Sequence, residues 1–422
     1  MVIKSKFMKI LWFEISIPSK YQSDNRVLAG WQDALEEIVS GHNEIDLFVA
    51  FETNDKSAAP KFKNNVHYVP IVTSYSWLQR KKAGFNQYET VRHILPQALQ
   101  IIKDIKPDLI HVFGCEWPYG LVAKYTDIPV VIHIQGAIIP YTNALYPPKY
   151  NNFTLFFHSG INIKIWWKLL REYYYNKSRK LMESEIWRIV NNYMGRTLWD
   201  KSLCQTIHPK ARYFHVEEAI RPIFLKQDYQ WHGINREKLC LISTGISFWK
   251  GADVMLKTAH VLKSMGVDFE WKIAGAMDKY NLRVIEEKEQ MKFRENNIEI
   301  LGFTQADEVL NLLCNSSLYI HTAYIENSPN SICEAQLIGI PVIATYVGGI
   351  PSLVSNNEDG ILVPANDPWQ MANEIVTLFT DKSRMEIFSK KARTKALQRH
   401  DPNNIFQQLL HCYNSIIVDK NV

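Results

Sequence analysis

The sequence is short of several features that would point to a function at once. Its six cysteines, Cys115, Cys204, Cys240, Cys314, Cys333 and Cys412, are scattered, and none is spaced as Cys-x-x-Cys. That argues against a disulfide framework and a zinc site, and for buried reduced thiols. No run approaches the ~18 consecutive apolar residues that a spanning helix needs. The opening MVIKSKFMKILWFEISIPS starts basic, but Glu14 interrupts its apolar stretch. It reads as a first β-strand and not as a signal peptide. The expectation is a cytoplasmic protein, with peripheral contact at the inner face of the membrane left open. Charge of one sign is also scarce: 48 Lys and Arg against 43 Asp and Glu leave +5. That is too little to argue for nucleic acid, and it suits an anionic small molecule or an anionic membrane surface. Short repeats and low-complexity segments are missing. The loop after the first strand, Ile15-Ser16-Ile17-Pro18-Ser19, has no glycine. This counts against a nicotinamide-dependent oxidoreductase, whose glycine-rich turn belongs there.

What is present is an ordinary soluble composition, 46% apolar and 22% charged, over 422 residues, enough for two domains with sizeable cores. Residues 9–15, 46–51, 66–71, 109–113 and 130–134 read as strands, and 25–39 and 88–105 as helices. Such alternation implies a parallel sheet with helices on both faces. A second α/β half begins near residue 216. Its strands fall at 239–244, 270–274, 298–301, 318–322 and 342–345. Its helices fall at 251–265, 282–296, 306–314, 331–338 and 368–380, the pattern of a doubly wound domain. Helices at 382–398 and 403–417 follow.

Residues from about 140 to 195 differ. They read as mostly helical and carry Phe156, Phe157, Trp166, Trp167, Tyr173, Tyr174 and Tyr175. Lys164, Lys168, Arg171, Lys177, Arg179 and Lys180 are interleaved with them. Two readings stand side by side: core aromatics with a solvated charged face, or a surface that meets a membrane or a lipid-linked glycan.

Ligands of open α/β sheets bind beyond the carboxyl ends of the strands. Three loops of the second half lie there. Lys250-Gly251 ends the loop 243–251, where a lysine before a helix favours a phosphate or diphosphate; a solvated surface lysine is the plain alternative. In the loop 326–334, Asn330 is a candidate N-cap and Gly339 a candidate C-terminal stop. Ser331 and its neighbours offer free N–H groups to an anion. Glu326 and Glu334 can accept hydrogen bonds from paired sugar hydroxyls. Gly348-Gly349 allows a tight loop and close backbone approach.

Taken together these residues carry a resemblance. Glu326 and Glu334 form Glu-x7-Glu, flanked by Lys250-Gly251, Ile273-Ala274-Gly275, and Gly339-Ile340-Pro341-Val342-Ile343-Ala344-Thr345 with Gly348-Gly349. The set resembles the retaining GT-B glycosyltransferases of family 4, also called glycosyl transferases group 1, of the bacterial polysaccharide type. The likeness is dense over about 239 to 380 and thinner upstream, at Lys106-Pro107-Asp108-Leu109-Ile110-His111 and Gly195-Arg196-Thr197-Leu198-Trp199-Asp200. It implies an α/β GT-B fold, with two Rossmann-like domains facing a cleft. The division expected is an acceptor-binding domain at 1–215, a nucleotide-sugar-binding domain at 216–398, and a last helix at 399–422 crossing back to the first domain. It also implies roles. Lys250 neutralises the donor diphosphate, Glu334 binds the ribose, and Glu326 holds the transferred sugar. Gly251, Asn330 and Ser331 contact the donor.

The implied activity is retaining transfer of a sugar from a UDP or GDP sugar to a glycan or lipid-linked acceptor in polysaccharide biosynthesis. No Asp-x-Asp is present, so no tightly bound metal and no cofactor are expected. Departures exist. Gly245 and Ser247 stand where many members carry an arginine before Lys-Gly, with Arg196 or Arg221 as substitutes. Ala29-Gly30 replaces a glycine pair, and Gln135 stands where many members have a histidine, with His133 two residues earlier. Gly30, Gln135 and Arg196 remain candidate contacts in the first domain. A non-catalytic sugar-nucleotide-binding protein and a nucleotide-sugar epimerase are the alternatives.

Overall fold

The computed structural model describes residues 7–22, 30–226, 228–233 and 237–420. Among the described residues fourteen strands build two sheets. The first holds β1 (Met8–Glu14), β2 (Ile45–Thr53), β3 (Lys61–Lys63), β4 (Val66–Val72), β5 (Leu109–Phe113), β6 (Val130–His133), β7 (Asn192–Gly195) and β8 (Arg212–His215). Their order is β3-β4-β2-β1-β5-β6-β7-β8, parallel except for β3 on β4. The second holds β9 (Leu239–Thr244), β10 (Phe269–Ala274), β11 (Ile298–Gly302), β12 (Leu318–His321), β13 (Val342–Thr345) and β14 (Ile361–Val363). Their order is β11-β10-β9-β12-β13-β14, all parallel.

The central strands are continuous apolar runs because helices cover both faces of a parallel sheet. Ile10 to Phe13 of β1 are wholly buried, as are most residues of β9 and β12. Each order reverses once, between β1 and β5 in the first sheet and between β9 and β12 in the second. In such sheets the crevice at the carboxyl ends beside the reversal is the place for a ligand.

The chain divides into two compact units: Met1–Thr142 with Leu170–Arg221 and His400–Val422, and Asn143–Leu169 with Pro222–Arg399. The residues 143–169 therefore count with the second unit, whereas the sequence reading put them in a first domain of residues 1–215. Residues 216–221 count with the first. The cause is packing: Tyr150, Leu155 and Leu169 belong to the core that contains Leu241, Phe248 and Leu256. The Tyr150 hydroxyl also donates to Glu289 Oε1 at 2.7 Å. The helix Pro402–Lys420 lies in the first unit, where Ile405, Phe406, Leu409 and Tyr413 join the core beneath β1 and β2. There Trp12 Nε1 donates to the Tyr413 hydroxyl at 2.9 Å, and that hydroxyl is 2.6 Å from His111 Nδ1. Burial lowers His111 to about 3, so the neutral ring can accept that proton.

Some elements differ from the sequence reading. The helix expected at 282–296 is Lys279–Glu289, because Gln290 turns left-handed and the Gln290 and Met291 N–H groups both close onto the Glu286 carbonyl. The segment from 140 to 195 is mostly helical, as expected, with Ile138–Tyr141, Asn152–His158 and Ile163–Ile189 as its helices, and β7 closes it. The helix expected from residue 25 is observed as Trp31–Ser40. Residues 25–29, with Ala29 of the Ala29-Gly30 pair, lie outside the described residues.

Candidate active site

In the second unit the three motif loops leave β9, β12 and β13, which are adjacent strands at and beside the reversal of order. Lys250 ends the loop after β9. Glu326 stands in the loop after β12. Gly348 and Gly349 follow β13. Backbone geometry locks these loops together. Gly251 has φ 72°, and a Cβ there would lie 2.1 Å from the Thr322 carbonyl oxygen. The Thr322 hydroxyl in turn donates to the Lys250 carbonyl at 2.8 Å. Gly348 has φ 52°, and a Cβ there would lie 1.8 Å from the Glu326 carbonyl oxygen, which accepts from the Gly349 N–H at 3.0 Å. The close approach that two glycines permit is thus an approach to the backbone of Glu326. Only glycine combines these angles with so little space.

Lys250 Nζ lies 2.9 Å from Glu326 Oε1. Burial alone would lower the ammonium's pKa, but the charge and hydrogen bond of Glu326 outweigh it, and the net shift is upward. The lysine therefore stays charged. His321, the last residue of β12, places Nε2 3.8 Å from the same carboxylate oxygen. Burial, reinforced by the charge of Lys250, holds His321 down at about 4, so at neutral pH it is an uncharged neighbour and not an ion-pair partner. Behind it the Tyr319 hydroxyl lies 3.5 Å from His321 Nδ1 and 2.9 Å from Thr244 Oγ1.

The helix Asn330–Ile338 begins just after this loop. Its N-cap is Pro329 and not Asn330, which is the first helical residue. Proline's fixed φ suits the entry to the helix and leaves the Asn330 and Ser331 N–H groups in the first turn. Glu334 is buried one turn further on. Gly339 ends the helix in the left-handed conformation, as expected. The structure thus brings Lys250, Gly251, Glu326 and the helix start with Asn330, Ser331 and Glu334 to one end of the sheet. A hollow of about 730 Å³, lined by Lys238, Asp268 and Asn297 among others, lies at the opposite, amino end of β9–β11. Among the described residues, no three His, Cys, Asp or Glu side chains are grouped so as to hold a metal ion.

In the first unit, Gly30 is the N-cap of Trp31–Ser40. Gln135 follows β6 and Arg196 follows β7. Arg196 is buried; its Nε is 2.8 Å from Glu218 Oε2, it donates to the Ile134 carbonyl at 3.0 Å, and its guanidinium lies over the Trp31 ring. His133 is fully buried among Trp31, Phe113 and His111, and burial pushes its pKa well down.

Sequence reasoning missed Glu116. It stands in the loop after β5, at the first sheet's reversal of order. Its Oε2 is buried without a hydrogen-bond partner, and burial raises it to about 7. Arg179 lies over the neighbouring Trp117 ring, 5.0 Å from its centroid. The signal was available: a carboxylate shortly after a buried strand, the same cue that singled out Glu326. His321 and Tyr319 were missed because a strand's own residues give no sign of which strand lies alongside.

Two doubly wound units and a helix returning from the second to the first are the features of the GT-B fold. Solved structures agree. Sucrose-phosphate synthase from Thermosynechococcus elongatus superposes with a TM-score of 0.71 over 98% of this chain and 100% of that one, at 12% identity. Anabaena HepE, solved with UDP, gives 0.63 over 97% and 100%, at 16% identity. Residues 227–395 match the family described as glycosyl transferases group 1. WcaL of Salmonella typhimurium, a protein assigned to colanic acid biosynthesis as a glycosyltransferase, is 30% identical over 175 residues, covering 40% of this chain and 42% of that protein. The match spans about two fifths of the length of the first curated relatives. No helix among the described residues is long and apolar enough to cross a membrane.

Proposed function

We propose that the protein is a retaining glycosyltransferase. It moves a sugar from a nucleoside diphosphate sugar to a glycan or lipid-linked acceptor in cell-surface polysaccharide biosynthesis, working at the inner face of the membrane without a tightly bound metal. The observation that carries this reading is the contact of Lys250 with Glu326 at the switch point of the second unit, beside the start of the helix that bears Glu334. The second unit binds the donor and the first the acceptor. Lys250 and the N–H groups of Asn330 and Ser331 stabilise the charge that develops on the leaving diphosphate. Glu334 accepts hydrogen bonds from the ribose, and Glu326 from the transferred sugar. The acceptor oxygen bonds to the anomeric carbon on the face from which the phosphate oxygen leaves, and that phosphate takes the acceptor proton. The UDP in the HepE structure and the polysaccharide assignment of WcaL support the donor class and the acceptor class.

Thermal-shift titration with UDP, GDP, ADP and their sugars tests the reading. A ligand bound only by the folded state adds about 2.7 kcal/mol at a hundredfold excess over Kd. One nucleotide is expected to raise the midpoint of the wild type and to leave Lys250→Ala and Glu334→Ala unmoved. No shift with any nucleotide from a folded protein sinks the proposal.

A further inference from the structure

The residues 143–169 form a helical hairpin on the second unit, and its two faces differ. The helix Asn152–His158 and the first turns of Ile163–Ile189 are joined by Ser159-Gly160-Ile161-Asn162. The inner face is fixed by Leu155 and Leu169, both in the core of the second unit. The outer face is apolar and open. Phe153 is 61% exposed, Phe157 58%, Ile161 64%, Ile163 62% and Trp167 59%. Phe153 and Phe157 are one helical turn apart, as are Ile163 and Trp167, so each helix presents a pair on one stripe. The rings also knit the two helices together: Trp166 lies 5.6 Å from Phe153 and 5.5 Å from Phe156, centroid to centroid. At the tip, Ile161 has φ 55°, a conformation that costs a β-branched residue strain, and it holds that side chain in the open.

Charge completes the pattern. No Asp or Glu occurs from Ile128 to Arg171, while Lys149, Lys164 and Lys168 fall within the hairpin region. Lys149 and Lys164 are exposed. Behind the hairpin Lys168 pairs with Asp278 at 3.5 Å, and Arg283, beside Gly160, pairs with Glu287 at 4.0 Å, so the outward charge is that of Lys149 and Lys164. A stripe of Phe, Ile and Trp on a segment that carries lysines and no acid of its own is matched to the interface of an anionic bilayer, where aromatic rings sit at headgroup level and lysines reach the phosphates.

We propose that this hairpin is the surface by which the protein docks on an anionic lipid bilayer. The proposal rests on the glycosyltransferase reading only in that a lipid-linked acceptor gives the contact a purpose; the surface itself is independent of the donor site. Phe153, Phe157, Ile161, Ile163 and Trp167 enter the acyl boundary, and Lys149 and Lys164 pair with headgroups.

The test is co-sedimentation of the full chain with vesicles of phosphatidylcholine plus phosphatidylglycerol, against vesicles of phosphatidylcholine alone. A nucleotide thermal shift is recorded on the same preparations. The wild type is expected to partition onto the anionic vesicles, less so as salt rises. Phe157→Ser with Trp167→Ser is expected to lower the partition coefficient by roughly tenfold or more. Lys164→Glu is expected to lower it by at least about fivefold. All of these substitutions are at exposed positions, so the nucleotide shift stays as in the wild type and shows that the fold is intact. Equal partition of the wild type and the Phe157/Trp167 variant overturns the proposal. So does failure of the wild type to bind anionic vesicles, or self-association in sedimentation velocity that the double variant abolishes. Hairpin-dependent vesicle binding without any nucleotide shift leaves the surface standing and removes the catalytic reading.

Discussion

The Lys250 ammonium and the Glu326 carboxylate, 2.9 Å apart, come from loops that follow neighbouring strands on either side of the point where the second sheet reverses its order. The contact fixes both groups before chemistry, and it means that neither can be changed without leaving the other's charge partly uncompensated. Lys250→Ala is expected to lower kcat/KM by about a hundredfold to a thousandfold, the range for loss of one preorganised charge stabiliser. Steady-state assay with the nucleotide sugar that shifts the melting point measures it. A loss under tenfold would take Lys250 out of the reaction.

Gly348 offers a sharper probe because it touches no substrate in the proposed mechanism. Its φ of 52° and the 1.8 Å approach of a Cβ to the Glu326 carbonyl mean that Gly348→Ala must move the backbone of Glu326. The expected cost is at least ~1–3 kcal/mol in denaturant unfolding. Donor turnover should fall further than stability does. Stability unchanged within error would contradict the tight packing described here.

His321 supplies a pH signature. Its folded pKa of about 4 lies below the ordinary 6.5, so between these values the unfolded chain binds a proton that the folded chain refuses. The stability contribution is present above pH 6.5 and is lost as pH falls toward 4. His321→Gln should flatten the fall of stability over this window, by roughly 3 kcal/mol at its lower end. Parallel curves for the two proteins would show that His321 titrates normally.

Glu116 works in the opposite sense. Its folded pKa of about 7 lies above the ordinary 4.5, so the folded state holds the proton more tightly, and stability is lost as pH rises from 4.5 through 7. Glu116→Gln should match the wild type in thermal unfolding at pH 4 and exceed it at pH 8. A variant no more stable at pH 8 would mean that the carboxylate finds a partner there.

The strands that sequence reading placed best, 109–113, 239–244 and 342–345, are buried on both faces; the first two lie between a charged residue and a glycine and the third follows Pro341, which marks off each short apolar run. It missed β7, whose Asn192-Tyr193-Met194-Gly195 follows the long helix at once, and β14, with only Ile361–Val363. Neither is long enough to show a period of its own. The candidate site residues of the second unit were legible because Lys250, Glu326 and Glu334 sit in loops and a helix start, where charge has a local meaning. Their supports were not legible: Thr322 beneath Gly251, and His321 beside Glu326, depend on β9 and β12 being neighbours, which is a property of sheet order. The place of residues 143–169 was hidden for a related reason. Tyr150 and Leu155 are apolar in the way of any core residue, and nothing local says which core they join.

The helix Pro402–Lys420 joins the core that contains Ile10 and Trp12, almost four hundred residues earlier. During synthesis the first unit therefore cannot close when its own strands have been made. Its face around Trp12, Leu47 and Val49 stays uncovered until about two hundred further residues have emerged, by the count from β8 to Phe406. By then the strands of the second unit are already out of the ribosome. Completion of the first unit thus reports that translation has passed Phe406, and a chain stopped short of it should be handed to chaperones and proteases with its oldest hydrophobic surface still open.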